Sequence, residues 1–479
     1  MGKSTFLIIV AALVLVGWIY LEKYPRKSTE NKELPNIVFY ISDDLSASDI
    51  SLYNNKGVNV KNIEKLAAEG ITFNRAFVAS PSCAPSRGAL LTGLYPARSG
   101  AMANHTYPSE EILKLPNLLR KIGYEVISFG KVGHGFKEQK AKDYGFDYFN
   151  KESVNLPEQV RNFFKNRSNP KPICLLVGDR RPHVPWIKDS KYPMDSVLLP
   201  SYFLNTFETN EHWARYATDI QGMDKDLGEI LTLTKDMFGD DYIFLFSGDH
   251  GSQWPFGKWN LYDYGTHVPL VVSWPKKMER SESTDALISW VDIFPTLIDL
   301  AGGNVPDKLD GKSFLKVLKN PKLNHRDFIY TTHSGDGHLN VYPMRSVRTK
   351  RFKYIHNIFP EYYHTNHSDI LRKNGAGAYW DSWEEIAAND SVAKAIIDKY
   401  HIRPEFEFFD LSTDPLEQHN LAGNPKYEMD QEELKKLLDK MNLQQNDSLP
   451  LIGTPYPKTR NLPTQEDIQK RLQAHKKDR

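Results

Sequence analysis

The chain is poor in cysteine, with Cys83 and Cys174 alone in 479 residues, so a disulfide framework is excluded as the organising principle of the fold. It also lacks charge of one sign: 61 Lys and Arg against 60 Asp and Glu leave a formal +1. That balance offers no global field for nucleic acid, which is not expected as a partner. There is no internal repeat and no low-complexity tract. With 40% hydrophobic and 25% charged residues the composition is that of a globular chain. One uncharged apolar run is present. Phe6 to Leu21, flanked by Lys3 and by Lys23, Arg26 and Lys27, reads as an export signal or a short membrane anchor. The expected location is therefore periplasmic, extracellular or lumenal, with an N-terminal tether through residues 6–21 as one form of it.

From Asn36 the chain alternates strand and helix patterns. Ile37–Ile41 is a continuous apolar run, the mark of a strand covered on both faces. Similar runs recur at Tyr124–Phe129, Pro172–Val177, Tyr242–Phe246 and Val268–Val272, with a further strand expected over Ile71–Val78. Helical patterns lie between them at Asn62–Glu69, Leu115–Ile122, His212–Phe238 and Val291–Leu300. This order predicts an α/β fold with a largely parallel central sheet between helices. Past about Arg326, short strands at Phe328–Thr332, Arg345–Thr349, Phe352–His356 and Phe408–Leu411, closed by a helix over Gln431–Met441, predict a smaller antiparallel C-terminal α+β subdomain. The expected division is residues 1–34 as signal or anchor plus linker, 35–325 as the catalytic domain, and 326–479 as the subdomain and tail. Cys174 sits in an apolar strand and reads as a small core residue.

In open α/β sheets, ligands collect beyond the carboxyl ends of the strands, and here several strand ends deliver polar groups. The first strand runs into Asp43-Asp44, and Tyr242–Phe246 leads to Ser247-Gly248-Asp249-His250-Gly251. Crowded carboxylates call for a cation, and Asp43, Asp44 and Asp249 supply the hard oxygens that Ca²⁺ prefers. The strand over Tyr124–Phe129 ends in Gly130-Lys131-Val132-Gly133-His134, and Pro172–Val177 leads to Arg181-Pro182-His183-Val184-Pro185. The two prolines stiffen the loop that aims His183. Lys258, in Gly257-Lys258-Trp259-Asn260, adds a cation. Cys83 opens Cys-Ala-Pro-Ser-Arg-Gly-Ala-Leu-Leu-Thr-Gly, residues 83–93, with Ser82 as N-cap and Pro85 in the first turn of a helix.

That string matches the C-x-P-S-R-x-x-x-L-T-G signature without a gap, and the chain resembles the formylglycine-dependent sulfatases of the alkaline-phosphatase-like superfamily from Asn36 to about Ala422. The Lys131-x-x-His134 spacing and the Asp-His-Gly at 249–251 are similar to iduronate-2-sulfatases. Pro255–Tyr262 and Tyr342–Val347 look like heparan N-sulfatase (sulfamidase). The resemblance implies that a maturation enzyme oxidises Cys83 to formylglycine (3-oxoalanine), and that one Ca²⁺ is held by Asp43, Asp44, the residue at Cys83, Asp249 and His250. Cys83, Arg87, Lys131, His134, His183 and Lys258 are the expected catalytic set. Ca²⁺ and the cationic side chains would offset sulfate charge. His183 would protonate the leaving atom, and His134 would take a proton when sulfate is expelled. Loops that vary between sulfatases would read the sugar; His105 beside Asn104, the stretch His333–His338, and Arg345 are the candidates. The expected substrate is a sulfated carbohydrate carrying an O-sulfate ester. Three alternatives stand beside it: N-sulfoglucosamine, a phosphonate monoester or phosphodiester, and a catalytically inactive receptor for sulfated glycans.

Overall fold

In the computed structural model, residues 34–278 and 281–462 are described, with positions 464, 466–468, 470 and 473 beyond them. The apolar run 6–21 lies outside the described residues. Among those described, no helix is long and apolar enough to cross a membrane.

Five of the apolar runs become strands of one sheet. In chain order the strands are β1 (Asn36–Ser42), β2 (Ile71–Phe73), β3 (Ala76–Phe77), β4 (Glu125–Gly130), β5 (Tyr148–Asn150), β6 (Ile173–Gly178), β7 (Tyr242–Gly248), β8 (Leu270–Ser273), β9 (Glu282–Thr284) and β10 (Ile288–Ser289). The main sheet has the order β5-β4-β6-β1-β7-β8-β2-β9. β1 lies near its centre, parallel to β6 with Phe39 opposite Leu176, and parallel to β7 with Phe39 opposite Leu245. Only the pairs β7–β8 and β2–β8 run antiparallel. Six of the seven residues of β1 are buried, as its unbroken apolar run requires when both faces are covered. One covering helix, Phe207–Phe238, is capped by the Thr206 hydroxyl, which accepts from the Thr209 amide.

The single strand expected over Ile71–Val78 is two short ones. The chain leaves the main sheet at Asn74-Arg75, whose side chains bond outward to Asp285 and to the Lys350 carbonyl, and β3 pairs with β10 instead. A second sheet, β11 (Ile329–His333), β12 (Met344–Arg348), β13 (Phe352–Asn357) and β14 (Phe406–Asp410), is antiparallel throughout and in that order. The helix Glu428–Gln444 packs Leu434, Leu438 and Met441 against Tyr330, Val347 and Tyr354 of this sheet. Three helices between β13 and β14, His367–Leu371, Trp380–Ala387 and Ser391–His401, are additions to the expected elements, although Trp380 and Trp383, and Ala393, Ile396, Ile397 and Tyr400, recur at helical spacing and face the core. Aromatic contacts join the last two, with Trp380 against Trp383 and Tyr400.

Candidate active site

Asp43, Lys131 and Asp249 follow the ends of β1, β4 and β7, and Cys83 starts a helix beside them. β1 ends in Asp43 and Asp44. Asp44 adopts the left-handed conformation, φ 64°, which short polar side chains tolerate better than most. The turn sends the two carboxylates to different partners: Asp43 Oδ2 accepts from Lys131 Nζ at 2.5 Å, while Asp44 Oδ1 accepts from Lys258 Nζ at 2.9 Å. β4 and β6 end in Gly130 and Gly178, where the backbones touch. A Cβ on Gly130 would lie 2.1 Å from the Gly178 carbonyl oxygen, and Lys131 N donates to that oxygen at 2.8 Å. Bare backbone at this crossing lets Lys131 turn back over the sheet.

Cys83 is the first residue of the helix Cys83–Thr92, in which all ten side chains are buried. Its Sγ is 3.1 Å from His250 Nε2, 3.3 Å from Lys131 Nζ and 3.6 Å from Asp43 Oδ1. Burial alone would raise this thiol's pKa. Lys131, Lys258 and His250 outweigh burial and hold it well below the usual thiol value. Cys174 is the contrast. Equally buried in β6 but without a charged neighbour, it is pushed up to about 12. The two cysteines differ in electrostatics, not in exposure.

Arg87, one turn along the helix, ties the carboxylates together. Its Nε donates to Asp249 Oδ2 at 2.8 Å, Nη2 approaches Asp43 Oδ1 at 3.4 Å, and Nη1 donates to the backbone carbonyls of Lys131 and Val132. Arg87 therefore holds the acids and the β4 turn in register, and it is 1% exposed. Burial raises Asp249 to about 6 in spite of Arg87 and His250. His250 goes the other way: burial lowers it, but Asp249, Cys83 and Asp44 raise it to about 9. A single buried carboxyl that ionises this late has too little positive charge around it, and a divalent cation would correct that. Ligand atoms of Asp43, Cys83, Asp249 and His250 lie within 4.8 Å of one another, as do those of Asp44, Cys83 and His183. Three of these six residues, Asp43, Asp44 and Asp249, are carboxylates, whose hard oxygens suit a cation such as Ca²⁺.

His183 enters from the loop after β6, half-buried. Its Nδ1 lies 2.5 Å from the Val184 carbonyl, so Nδ1 carries the proton and donates, and Nε2 is left as the free acceptor. His134 follows the β4 turn, with Nε2 at 2.8 Å from His105 Nδ1. His105 also adopts a positive φ, 63°, and its Nε2 sits 3.3 Å from Asp336 Oδ1. Asp336, from the turn after β11, accepts at Oδ2 from Asn104 Nδ2 at 2.7 Å and from Trp259 Nε1 at 2.8 Å. Asn104 Oδ1 in turn accepts from the Ala84 amide beside Cys83.

Two expectations for the sugar-facing groups change here. Arg345 is not exposed to a ligand. It is wholly buried, bonded bidentately to Asp447 at 2.5 and 2.9 Å, and donates further to the His333 and Met344 carbonyls. Its place in β12, covered by the second sheet's helix, makes it a core ion pair. His333 is likewise buried, bonded to Asn340, and lowered to about 4 by burial. Asp336, Trp259 and His367, which stacks on Trp259 at 4.8 Å, are site residues that sequence patterns do not single out. Asp336 lies within the stretch His333–His338 and Trp259 within Pro255–Tyr262; His367 carries no signal of its own.

Comparison with known proteins accords with this geometry. The family model described as Sulfatase matches residues 35–200 and 152–303, and the model described as N-sulphoglucosamine sulphohydrolase, C-terminal, matches residues 248–371. An ulvan-active sulfatase of Formosa agariphila is 32% identical over 443 residues, covering 90% of this chain and 84% of its own. The N-sulphoglucosamine sulphohydrolase of Homo sapiens is 26% identical, covering 86% of this chain and 90% of its own. Among solved structures, a protein in complex with its substrate D-glucosamine-2-N,6-O-disulfate superposes with a TM-score of 0.65 at 20% identity, over 87% of this chain and 99% of its own. A phosphonate monoester hydrolase from Silicibacter pomeroyi reaches the same TM-score at 17% identity, over 87% of this chain and 96% of its own. These two show the shared fold. With the family model spanning the catalytic sheet and a relative at 32% identity along most of the chain, this protein belongs to the sulfatase family and is a sulfuric ester hydrolase.

Proposed function

We propose that the enzyme removes an O-linked sulfate from a sulfated sugar of polysaccharide origin, with Cys83 matured to formylglycine and Ca²⁺ held by Asp43, Asp44, Asp249 and His250. The observation that carries this reading is the environment of Cys83: a buried side chain at a helix start, with His250 and Lys131 within 3.3 Å and three buried carboxylates behind them. On this reading Cys83 Sγ marks the position of a formylglycine oxygen, also a metal ligand. When present, the hydrated aldehyde supplies a hydroxyl nucleophile, and Ca²⁺ supplies positive charge for the sulfate oxygens.

The chain's own residues divide the remaining work. Lys131, half-buried, and Lys258, buried, both bonded to Asp carboxylates, neutralise the anionic substrate in a region of low dielectric. His183, when protonated at Nε2, is the acid that gives a proton to the leaving sugar oxygen. Asp249, whose carboxylate lies within 4.8 Å of Cys83 Sγ, is the carboxylate placed to accept a proton from the attacking hydroxyl. His134 takes the later proton that accompanies sulfate release. Arg87 positions Asp43 and Asp249. Export by way of residues 6–21 would bring the enzyme to polymeric substrates outside the cytosol, and a formylglycine-generating enzyme is its required partner in biosynthesis.

Mass spectrometry of the Cys83 peptide tests the nucleophile, with an aldehyde or its hydrate expected and an unmodified thiol in an active preparation refuting it. Sulfate release from mono-O-sulfated sugars, N-sulfoglucosamine and a phosphonate monoester, run side by side, tests the substrate. A second reading, N-sulfoglucosamine, is favoured by the match of residues 248–371 to the N-sulphoglucosamine sulphohydrolase C-terminal model. A strong preference for the N-sulfated sugar would select it.

A further inference from the structure

His134 does not stand alone beside the nucleophile. It begins a chain that runs His134 Nε2 to His105 Nδ1 at 2.8 Å, then His105 Nε2 to Asp336 Oδ1 at 3.3 Å. Asp336 is buried, and its other oxygen already accepts from Asn104 and Trp259. An ionised carboxylate accepts only, so with His105 neutral the direction of every bond in the chain follows. His105 must donate from Nε2 to Asp336, which leaves its Nδ1 as an acceptor. His134 must then donate from Nε2, and its proton-free nitrogen is Nδ1. That atom is buried and has no hydrogen-bond partner among the described residues, and after burial Cys83 is the main influence on the ring. The remaining charged or titratable groups that act on this cluster are Lys131 on His134 and Lys258 on His105, with His367 acting on Asp336.

We propose that His105 and Asp336 form a positioning relay that fixes His134 as the Nε2–H tautomer, with the lone pair of Nδ1 turned to the nucleophile. The proposal rests on the sulfatase reading of Cys83 and reassigns His105 from sugar binding to the support of a proton acceptor. The His105 side chain is 65% exposed and is held by these two bonds. The two halves of the relay come from different parts of the chain, His105 from the loop after the Cys83 helix and Asp336 from the second sheet. Asn104 braces both ends, bonding Asp336 through Nδ2 and the Ala84 amide through Oδ1.

The test uses full-length protein labelled with ¹⁵N-histidine, in which long-range ¹⁵N–¹H correlations distinguish the two tautomers. Wild type is expected to show His134 as Nε2–H. His105→Asn, whose Oδ1 can replace Nδ1 as acceptor, is expected to keep that signature. His105→Leu and Asp336→Asn are expected to lose it, the latter because an amide can donate to His105 and reverse the chain. In turnover, His105→Leu is expected to lower kcat roughly 100-fold, the low end of what a positioned base contributes, with KM within about threefold of wild type. His105→Asn should recover most of that loss. A raised KM with unchanged kcat would make His105 a sugar ligand and overturn the relay, as would an Nδ1–H tautomer in wild type or one unmoved in both His105→Leu and Asp336→Asn. Because the tautomer is read without substrate, a wild-type enzyme that released no sulfate would count against the proposed function and leave the relay to be decided by the spectra.

Discussion

Removing the carboxylate of Asp447 should destabilise the fold without touching substrate affinity. Asp447 and Arg345 have side chains with no solvent exposure, and they meet through two hydrogen bonds of 2.5 and 2.9 Å. In Asp447→Ala the guanidinium keeps its bonds to the His333 and Met344 carbonyls and to Ser334 Oγ, all neutral acceptors that cannot offset a buried charge. Leaving one partner of such a pair costs about 3–5 kcal/mol. With an unfolding entropy of about 2.1 cal/mol/K per residue, a chain of this length loses about one degree of Tm per kcal/mol, so a drop of about 3–5 °C is expected. The paired change Arg345→Met with Asp447→Leu removes both charges and should recover much of the loss. Thermal denaturation gives the first quantity, and KM for a sulfated sugar, expected to remain within about twofold, gives the second. If Arg345→Met left Tm unchanged and raised KM tenfold or more, Arg345 would be reading the sugar and the core assignment would be wrong.

Cys83→Ala should abolish sulfate release while shifting Tm little, because the side chain serves the site and not the packing; activity within tenfold of wild type would refute Cys83 as nucleophile. Chelation should silence the enzyme and lower its Tm, and Ca²⁺ at about 100 times its Kd should return about 2.7 kcal/mol of stability; full activity in a metal-free sample would show that Asp43, Asp44 and Asp249 are not ligands. Asp369, bonded to Tyr400 Oη at 2.6 Å, is raised by burial to about 7. The native state then binds more protons than the unfolded chain between about pH 4 and 7, and stability falls as pH rises through that window. Asp369→Asn should flatten the dependence and add a stabilisation on the order of a few kcal/mol at neutral pH; an unchanged pH profile of unfolding would show that Asp369 does not titrate there.

The central sheet was legible because buried parallel strands write themselves as unbroken apolar runs, and β1, β6 and β7 carry three of the clearest. The acids at their ends followed from the same reading, since a polar group just beyond a buried strand has few places to go. Arg345 was misread for the complementary reason. Two arginines on a short strand suggest an exposed face, but all five residues of β12 are buried, the strand lies under a helix from far along the chain, and the Arg345 partner Asp447 lies just past that helix. Asp336 was hidden in a similar way. Its role depends on His105 and Trp259, brought to it by the docking of two sheets, and no local spacing records such a meeting.

The complete burial of the helix Cys83–Thr92 has a consequence for timing. Cys83 is 1% exposed, and every side chain of its helix is enclosed, so no second enzyme can close its own active site around this thiol once the domain has packed. If Cys83 is matured to formylglycine as proposed, that conversion is a race against folding, run once in the life of each molecule. A chain that folds first is sealed in its thiol form, and no later exposure to the maturation enzyme can recover it. The active fraction of a preparation is then a record of how quickly it was made, and slower synthesis or slower folding should raise it with no change in the sequence.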